Sequence, residues 1–210
     1  FRSPDGLWVG TSARARVLIY NPVLVEELGL TLPESILDLV KPEYAGLVGW
    51  APENASLQAQ VTALRVLIGD EATEEWLAGM VANGAIGFGS SNTNLYLAVG
   101  NGEIPLGISN HYYLFGLLVS NPSLQVVQAI FPEGDPCALV NVAGAGVLAT
   151  SDQQELAEQF VAFLLSPVAQ QYFTTNTYEY PLIDGIITNS LLIPLDDIQT
   201  PDIDLSDLDD

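Results

Sequence analysis

The sequence predicts an α/β fold with a central mixed sheet flanked by helices. Three observations predict it. Short branched runs, such as residues 15–20 and 46–50, alternate along the chain with stretches of helical periodicity. Apolar residues make up 49% of the 210, enough for a sizeable core. Charged residues make up only 15%, too few for a disordered chain.

Residues 7–10 and 15–20 read as two strands, the second stopped by Asn21-Pro22. Thr31-Leu32-Pro33-Glu34 reads as a capping box with an early proline, opening a short helix to about Leu39. Residues 46–50 form an apolar strand closed by Ala51-Pro52. Ser56 reads as the N-cap of an amphipathic helix in which Leu57, Val61, Leu64 and Ile68 recur before Gly69. A second helix, near residues 71–81, turns Trp76, Leu77 and Met80 inward and ends at Asn83-Gly84. Residues 85–88 lead as a strand to Asn92, which starts a two-turn helix ending at Val99. After the turn Gly100-Asn101-Gly102, residues 104–108 form a strand that runs into Asn110-His111-Tyr112-Tyr113 and an apolar helix. Residues 125–131 and 140–149 read as further strands. Ser151 caps a long helix, its box completed by Gln154, with Leu156, Phe160, Phe163 and Leu164 expected to face inward. Pro167 starts another helix, and from Ile183 the chain is irregular and acidic.

The charge is lopsided. Twenty-six Asp and Glu stand against five Lys and Arg, a formal net charge of -21, and Lys41 is the only lysine. That balance repels phosphate backbones and anionic membrane surfaces, which excludes nucleic-acid binding; a cationic partner or a salty habitat fits it. Seven of the acids fall in residues 196–210. Cys137 stands alone, so neither an intrachain disulfide nor a cysteine-based zinc site is available. No apolar run approaches the roughly 18 residues of a membrane helix. The opening Phe1-Arg2-Ser3-Pro4-Asp5-Gly6 has no initiator methionine and reads as the middle of a domain, so a targeting signal is expected to lie outside this sequence.

Most catalytic constellations fail. The single histidine, His111, is preceded by Ser109 but by no G-x-S-x-G elbow, and no P-loop is present. Gly144-Ala145-Gly146-Val147-Leu148-Ala149 matches G-x-G-x-x-A, yet it lies inside a strand rather than opening a helix, and glycines at a tight crossing explain it better. No enzyme activity is expected. The more specific element is Asn110-His111-Tyr112-Tyr113. A phenolate is a hard oxygen donor suited to a hard cation such as Fe(III). With a reference phenol pKa of about 10, binding near neutrality needs a cation worth about 4 kcal/mol per phenol, which a trivalent ion supplies. Both phenols converge only at a strand-to-helix corner, and the pattern puts one here. Ser56, Asn92 and Asn110 each stand at such a junction, where helix N-termini favour anions. Ordinary helix capping and aromatic packing are the competing explanations.

With these residues in view, the chain resembles the ferric-ion-binding proteins of bacterial iron ABC importers, among the two-lobed extracellular solute-binding proteins. The resemblance runs through residues 7–17, 33–39, 46–52 and 99–103, the Asn110 to Tyr113 motif, residues 139–144, Phe163-Leu164-Leu165-Ser166 and Glu179-Tyr180-Pro181-Leu182. Ala13 and Cys137 depart from it, standing where glycine is usual. The resemblance implies that Tyr112 and Tyr113 are iron ligands. It implies that Asn110, Asn92 and the stretch holding Asn54 and Ser56 bind a companion anion such as phosphate or carbonate. It also implies a periplasmic-binding-protein-like lobe over residues 1–142, a segment of the other lobe over 143–193, and a return with an acidic tail over 194–210. A preceding lobe of roughly a hundred residues is expected outside this sequence, so the iron site would be half a site. The implied setting is periplasmic or extracellular, with a lipid anchor on the full-length protein also compatible. The implied partner is an ABC membrane permease and the implied state a monomer. Other ligands on the same scaffold, an organic cation, sulfate or a sugar phosphate, remain the alternative.

Overall fold

The computed structural model describes residues 1–205 and 208; Ser206, Asp207, Asp209 and Asp210, part of the acidic tail, lie outside the described residues. The chain divides into two compact units. One comprises residues 1–14 and 140–197, and the other residues 15–139 with the chain from Ile198 onward.

The larger unit holds a mixed sheet. Its strands are β1 (Val9–Tyr20, whose second half lies here), β2 (Val48–Trp50), β3 (Ile86–Gly87), β4 (Leu106–Asn110) and β5 (Val127–Ala129), in the order β3-β2-β4-β1-β5. β2 is parallel to β3 and β4, whereas β1 is antiparallel to β4 and β5. Alternate residues of β1 feed two cores, one on each face of the sheet. Leu18 joins Ile36, Leu39, Leu57, Leu64, Trp76 and Met80 on the face covered by α2 (Ala55–Ile68) and α3 (Asp70–Ala82). Val17 and Ile19 join Leu95, Tyr96, Val99 and Leu114 on the face covered by α4 (Asn92–Gly100) and α5 (Tyr113–Ser120). This is the mixed α/β sandwich that the alternating pattern predicts.

Gly49 and Gly107 are register partners in β2 and β4. A Cβ on Gly49 would come within 2.5 Å of the Leu95 side chain, and one on Gly107 within 2.9 Å. The paired glycines let α4 lie directly on the sheet, which delivers Tyr96 to the end of β4.

Several local expectations are overturned. The two strands expected at 7–10 and 15–20 are one: residues 9–10 and 15–20 are parts of the single twelve-residue β1, and Leu7 and Trp8 precede it. Asn21-Pro22 does not merely stop it: Asn21 caps an extra helix, α1 (Pro22–Leu28), its side chain accepting from the Val23 and Leu24 amides. The box expected at Thr31 instead lies at Ser35 and Asp38, and it opens a 3₁₀ turn at Ile36–Val40. The N-cap of α2 is Asn54 rather than Ser56, whereas α4 does start at Asn92, with Ser91 as its N-cap.

In the smaller unit, β6 (Val140–Ala145) pairs with β1, and the Thr11 hydroxyl donates to the Ala143 carbonyl. Ala13 and Tyr180 exchange backbone bonds of 2.9 Å. Glu179 is held there by the Arg14 Nε at 2.7 Å and the Ser12 hydroxyl at 3.1 Å. A Cβ on Gly146 would lie 2.6 Å from the Leu7 carbonyl oxygen, so close backbone approach explains that glycine, and the next helix, α6 (Gln154–Leu164), opens only eight residues later. Ser151 is not its N-cap; Gln153 holds that position with no side-chain cap bond. The inward orientation expected of α6 is also overturned. Leu156, Phe160 and Phe163 are 62%, 60% and 52% exposed, because no described element covers that side. α7 (Pro167–Tyr172) follows, capped by Ser166 with Pro167 in its first turn.

Candidate functional site

Parallel pairing gathers the site. β2, β3 and β4 point the same way, so their carboxyl ends lie along one edge of the sheet. The helices α2, α4 and α5 start within five residues of those ends, so their N-termini open on the same edge. The start of a helix is a favourable setting for negative charge, because the helix dipole points its positive end there.

The predicted residues occupy this edge as follows. Asn110 is the last residue of β4 and 2% exposed. Its amide nitrogen donates to the Ser56 hydroxyl at 2.8 Å and to the Tyr112 hydroxyl at a long 3.4 Å. Its backbone carbonyl accepts from the Tyr96 hydroxyl at 3.0 Å. Tyr112 and Tyr113, at the start of α5, stack with ring centroids 4.4 Å apart and planes 28° apart, both half-buried. Asn54 accepts from the Ser56 amide and donates to the Ser90 carbonyl at 2.9 Å, tying the start of α2 to the loop before α4. Asn92 is buried, and its amide nitrogen has no protein partner. Ser56, Asn110 and Tyr112 are thus joined in one hydrogen-bonded chain, with Tyr113 against Tyr112.

His111 serves this corner structurally. Its Nδ1 lies 3.0 Å from the Ala15 amide nitrogen and 3.3 Å from the Ala15 carbonyl oxygen. Its own amide donates to the Ala15 carbonyl at 3.0 Å, and its carbonyl accepts from Gln128. The turn between β4 and α5 is thereby pinned to β1 and β5.

Two contributors escape sequence reasoning. Tyr96 is buried, and that burial raises its pKa well above the ordinary tyrosine value, with Arg16 opposing. It is therefore a neutral hydroxyl donor. Arg16 lies on β1 directly opposite Asn110 and is 4% exposed. Its Nη1 donates to the Asn110 side-chain oxygen at 3.0 Å. Burial lowers its pKa, while Cys137, Tyr96, Tyr112 and Tyr113 act to raise it. The signal for Arg16 was present in the sequence: it is a charge at an inward position of a branched strand. Among the described residues no group of three or more His, Cys, Asp or Glu is gathered for a metal ion. The smaller unit has a cavity of about 510 Å³ lined by residues that include Trp8, Gly146 and Glu158.

The fold and this edge define an α/β lobe whose strand carboxyl ends and helix N-termini share one polar edge. The family model for bacterial extracellular solute-binding proteins matches residues 2–171, and the chain belongs to that family. It is 36% identical over 211 residues to the Fe(3+)-binding periplasmic protein of Serratia marcescens, covering 99% of this chain and 61% of that one. It is likewise 36% identical over 195 residues to iron uptake protein A1 of Synechocystis, covering 90% and 53% respectively. The chain therefore spans about three fifths of the length of such relatives. Among solved structures, iron-bound HitA of Pseudomonas aeruginosa superposes with a TM-score of 0.91 at 36% identity, over 99% of this chain and 66% of that one. A Trichodesmium protein in complex with iron and citrate gives 0.81 at 29% identity, over 99% and 67%.

Proposed function

We propose that this chain is the ligand-donating part of an extracytoplasmic binding protein that captures ferric iron for an ABC importer. Tyr112 and Tyr113 supply phenolate oxygens to the ion, and Asn110, Ser56, Asn54 and Asn92 hold a companion oxyanion such as phosphate or carbonate. The carrying observation is the hydrogen-bonded chain Ser56–Asn110–Tyr112 beside the stacked Tyr113. It joins phenol, amide and hydroxyl groups at the N-termini of two helices, α2 and α5. The names of the relatives support the same reading. In it, the larger unit is one lobe and the smaller unit a segment of the other. Further ligands come from elsewhere in the full-length protein, and the iron is delivered by a periplasmic or extracellular monomer to a membrane permease.

A second reading is favoured by one observation, the unpartnered buried Asn92 amide. The edge would then take an oxyanion such as sulfate or a sugar phosphate with no metal. Adding ferric citrate to the full-length protein separates the two. Phenolate-to-iron charge transfer gives a visible band on the first reading, and the band disappears in the Tyr112→Phe, Tyr113→Phe double variant. A colourless protein that still binds sulfate supports the second.

A further inference from the structure

The guanidinium of Arg16 has an unusual setting. It is buried in the core side of β1, and its Nε and Nη2 have no hydrogen-bond partner. Among the described residues no carboxylate pairs with it. Arg14, two residues earlier, shows the ordinary alternative, an ion pair with Glu179 at 2.7 Å. Leaving a guanidinium buried without a counter-ion costs several kcal/mol, so a purely structural role is expensive to maintain. Its single bond goes to the Asn110 side-chain oxygen, across an antiparallel register pair whose side chains share one face.

That bond has a directional consequence. An arginine side chain has donors only and no acceptor. The Asn110 amide can therefore turn nothing but its oxygen toward Arg16, and its NH₂ is forced to the opposite side, toward Ser56 and Tyr112. Without the arginine the amide could rotate by half a turn and offer the ligand edge its oxygen instead. An oxygen there would repel an oxyanion and attract a cation or a donor.

We propose that Arg16 is a positioning residue that locks the donor face of the Asn110 amide toward the ligand edge and thereby selects an oxyanion as companion ligand. This rests on the reading of the edge as an iron and oxyanion site. Arg16 touches neither ligand and acts through Asn110.

The test uses the full-length protein, ferric nitrilotriacetate as the iron source and inorganic phosphate as the anion. The readout is the ratio of apparent iron affinities with and without phosphate, followed through the phenolate charge-transfer band. In Arg16→Met the band should persist while phosphate enhancement falls roughly tenfold or more, the usual effect of losing a hydrogen bond to a charged group. Arg16→Lys, which keeps a donor-only cation, should retain most of the enhancement. Asn110→Asp serves if the methionine variant does not fold. It keeps a partner for Arg16 but offers only oxygens to the edge, and it should lose the enhancement as well. Full phosphate enhancement in Arg16→Met, or in Asn110→Asp, overturns the proposal. A wild-type protein with no ferric band overturns the site reading itself, which is a different result.

Discussion

Ser56 accepts a 2.8 Å hydrogen bond from the amide of Asn110, joining the first turn of α2 to the last residue of β4. Two segments more than fifty residues apart are thus locked where both contribute to the proposed ligand edge. The bond is half-buried, so removing the acceptor leaves a shielded N–H with only the long Tyr112 contact. Ser56→Ala should cost about 1 kcal/mol of stability in denaturant titration. It should weaken phosphate-dependent iron retention more than phosphate-independent retention. Equal weakening of both would mean that Ser56 supports the fold and not the anion.

Tyr112→Phe and Tyr113→Phe keep the ring area and the stacked pair but remove a hydroxyl oxygen. Each should lower ferric affinity by a factor of a hundred or more, on the order of 3 kcal/mol for a lost charged ligand, while the melting temperature moves little. Isothermal titration with ferric citrate alongside thermal melts checks both halves. Unchanged affinity in the two variants would remove the phenols from the ligand set.

His111→Ala should show the reverse pattern. The ring Nδ1 lies against the Ala15 amide and carbonyl inside a closed corner, and its loss takes a hydrogen-bond partner from that buried backbone. A stability loss of roughly 1–3 kcal/mol is expected from that change. Ferric affinity, measured well below the melting temperature, should fall by less than in either phenylalanine variant. A larger affinity loss at His111 than at Tyr112 would show that the imidazole takes part in binding.

The sequence revealed the alternation of strands and helices because the branched runs and helical repeats are local signals. It also revealed that Ser56, Asn92 and Asn110 stand at strand-to-helix junctions. It did not reveal which hydroxyl or amide caps which helix: Asn54, two residues before the expected Ser56, caps α2, and Ser91 caps α4. The energetic difference between adjacent small polar residues as caps is only a few tenths of a kcal/mol, and tertiary bonds decide it. Ser56, freed from capping, turns to Asn110. Asn21 was read as a strand stop although it caps α1, because an Asn-Pro pair serves equally as a turn or as a helix start. The role of Arg16 was hidden for another reason. It depends on the antiparallel register of β1 with β4, a pairing of residues 94 positions apart that no local pattern encodes. The exposed Leu156, Phe160 and Phe163 follow a clean helical stripe, so periodicity located the apolar side correctly but could not tell whether a described element would cover it.

Cys137 predicts an alkaline instability. Its thiol is fully buried, and that burial raises its pKa from 9.0 to about 12, with Arg16 opposing. Between those values the unfolded chain has lost the proton that the folded chain keeps. The folded state binds more protons, so stability falls as pH rises from 9 toward 12, and the contribution is flat below 9. Tyr180, also pushed up to about 12 by burial, adds a drop of the same sign above its ordinary value of 10.0. Cys137→Ala should be less stable near neutrality because of the cavity it leaves, yet its stability should decline less steeply across that alkaline range. Urea midpoints collected at successive pH values test this, and parallel curves for the two proteins would remove Cys137 as the source. At pH 8 the native thiol should also resist alkylating reagents until the protein is unfolded.

The proposed iron site should be linked to protons with the opposite slope. A free phenol with a reference pKa of about 10 is protonated at neutral pH, and a phenolate ligand is not. Each tyrosine that binds the metal must therefore release a proton, up to about two per ferric ion for the pair. Apparent affinity then rises with pH and falls as pH drops. The limiting slope is near two decades per pH unit if both phenols bind, and near one if a single phenol does. Titrations of the full-length protein at pH 6, 7 and 8 in a fixed concentration of phosphate give that slope. The same series on Tyr113→Phe should lose about one decade per unit, because one proton is no longer displaced. Calorimetry in two buffers of different ionisation enthalpy counts the released protons independently. A pH-independent affinity, with no protons released, would mean that neither Tyr112 nor Tyr113 ionises on binding, and the edge would then have to hold its ligand through the amides and hydroxyls of Asn110, Asn92 and Ser56 alone.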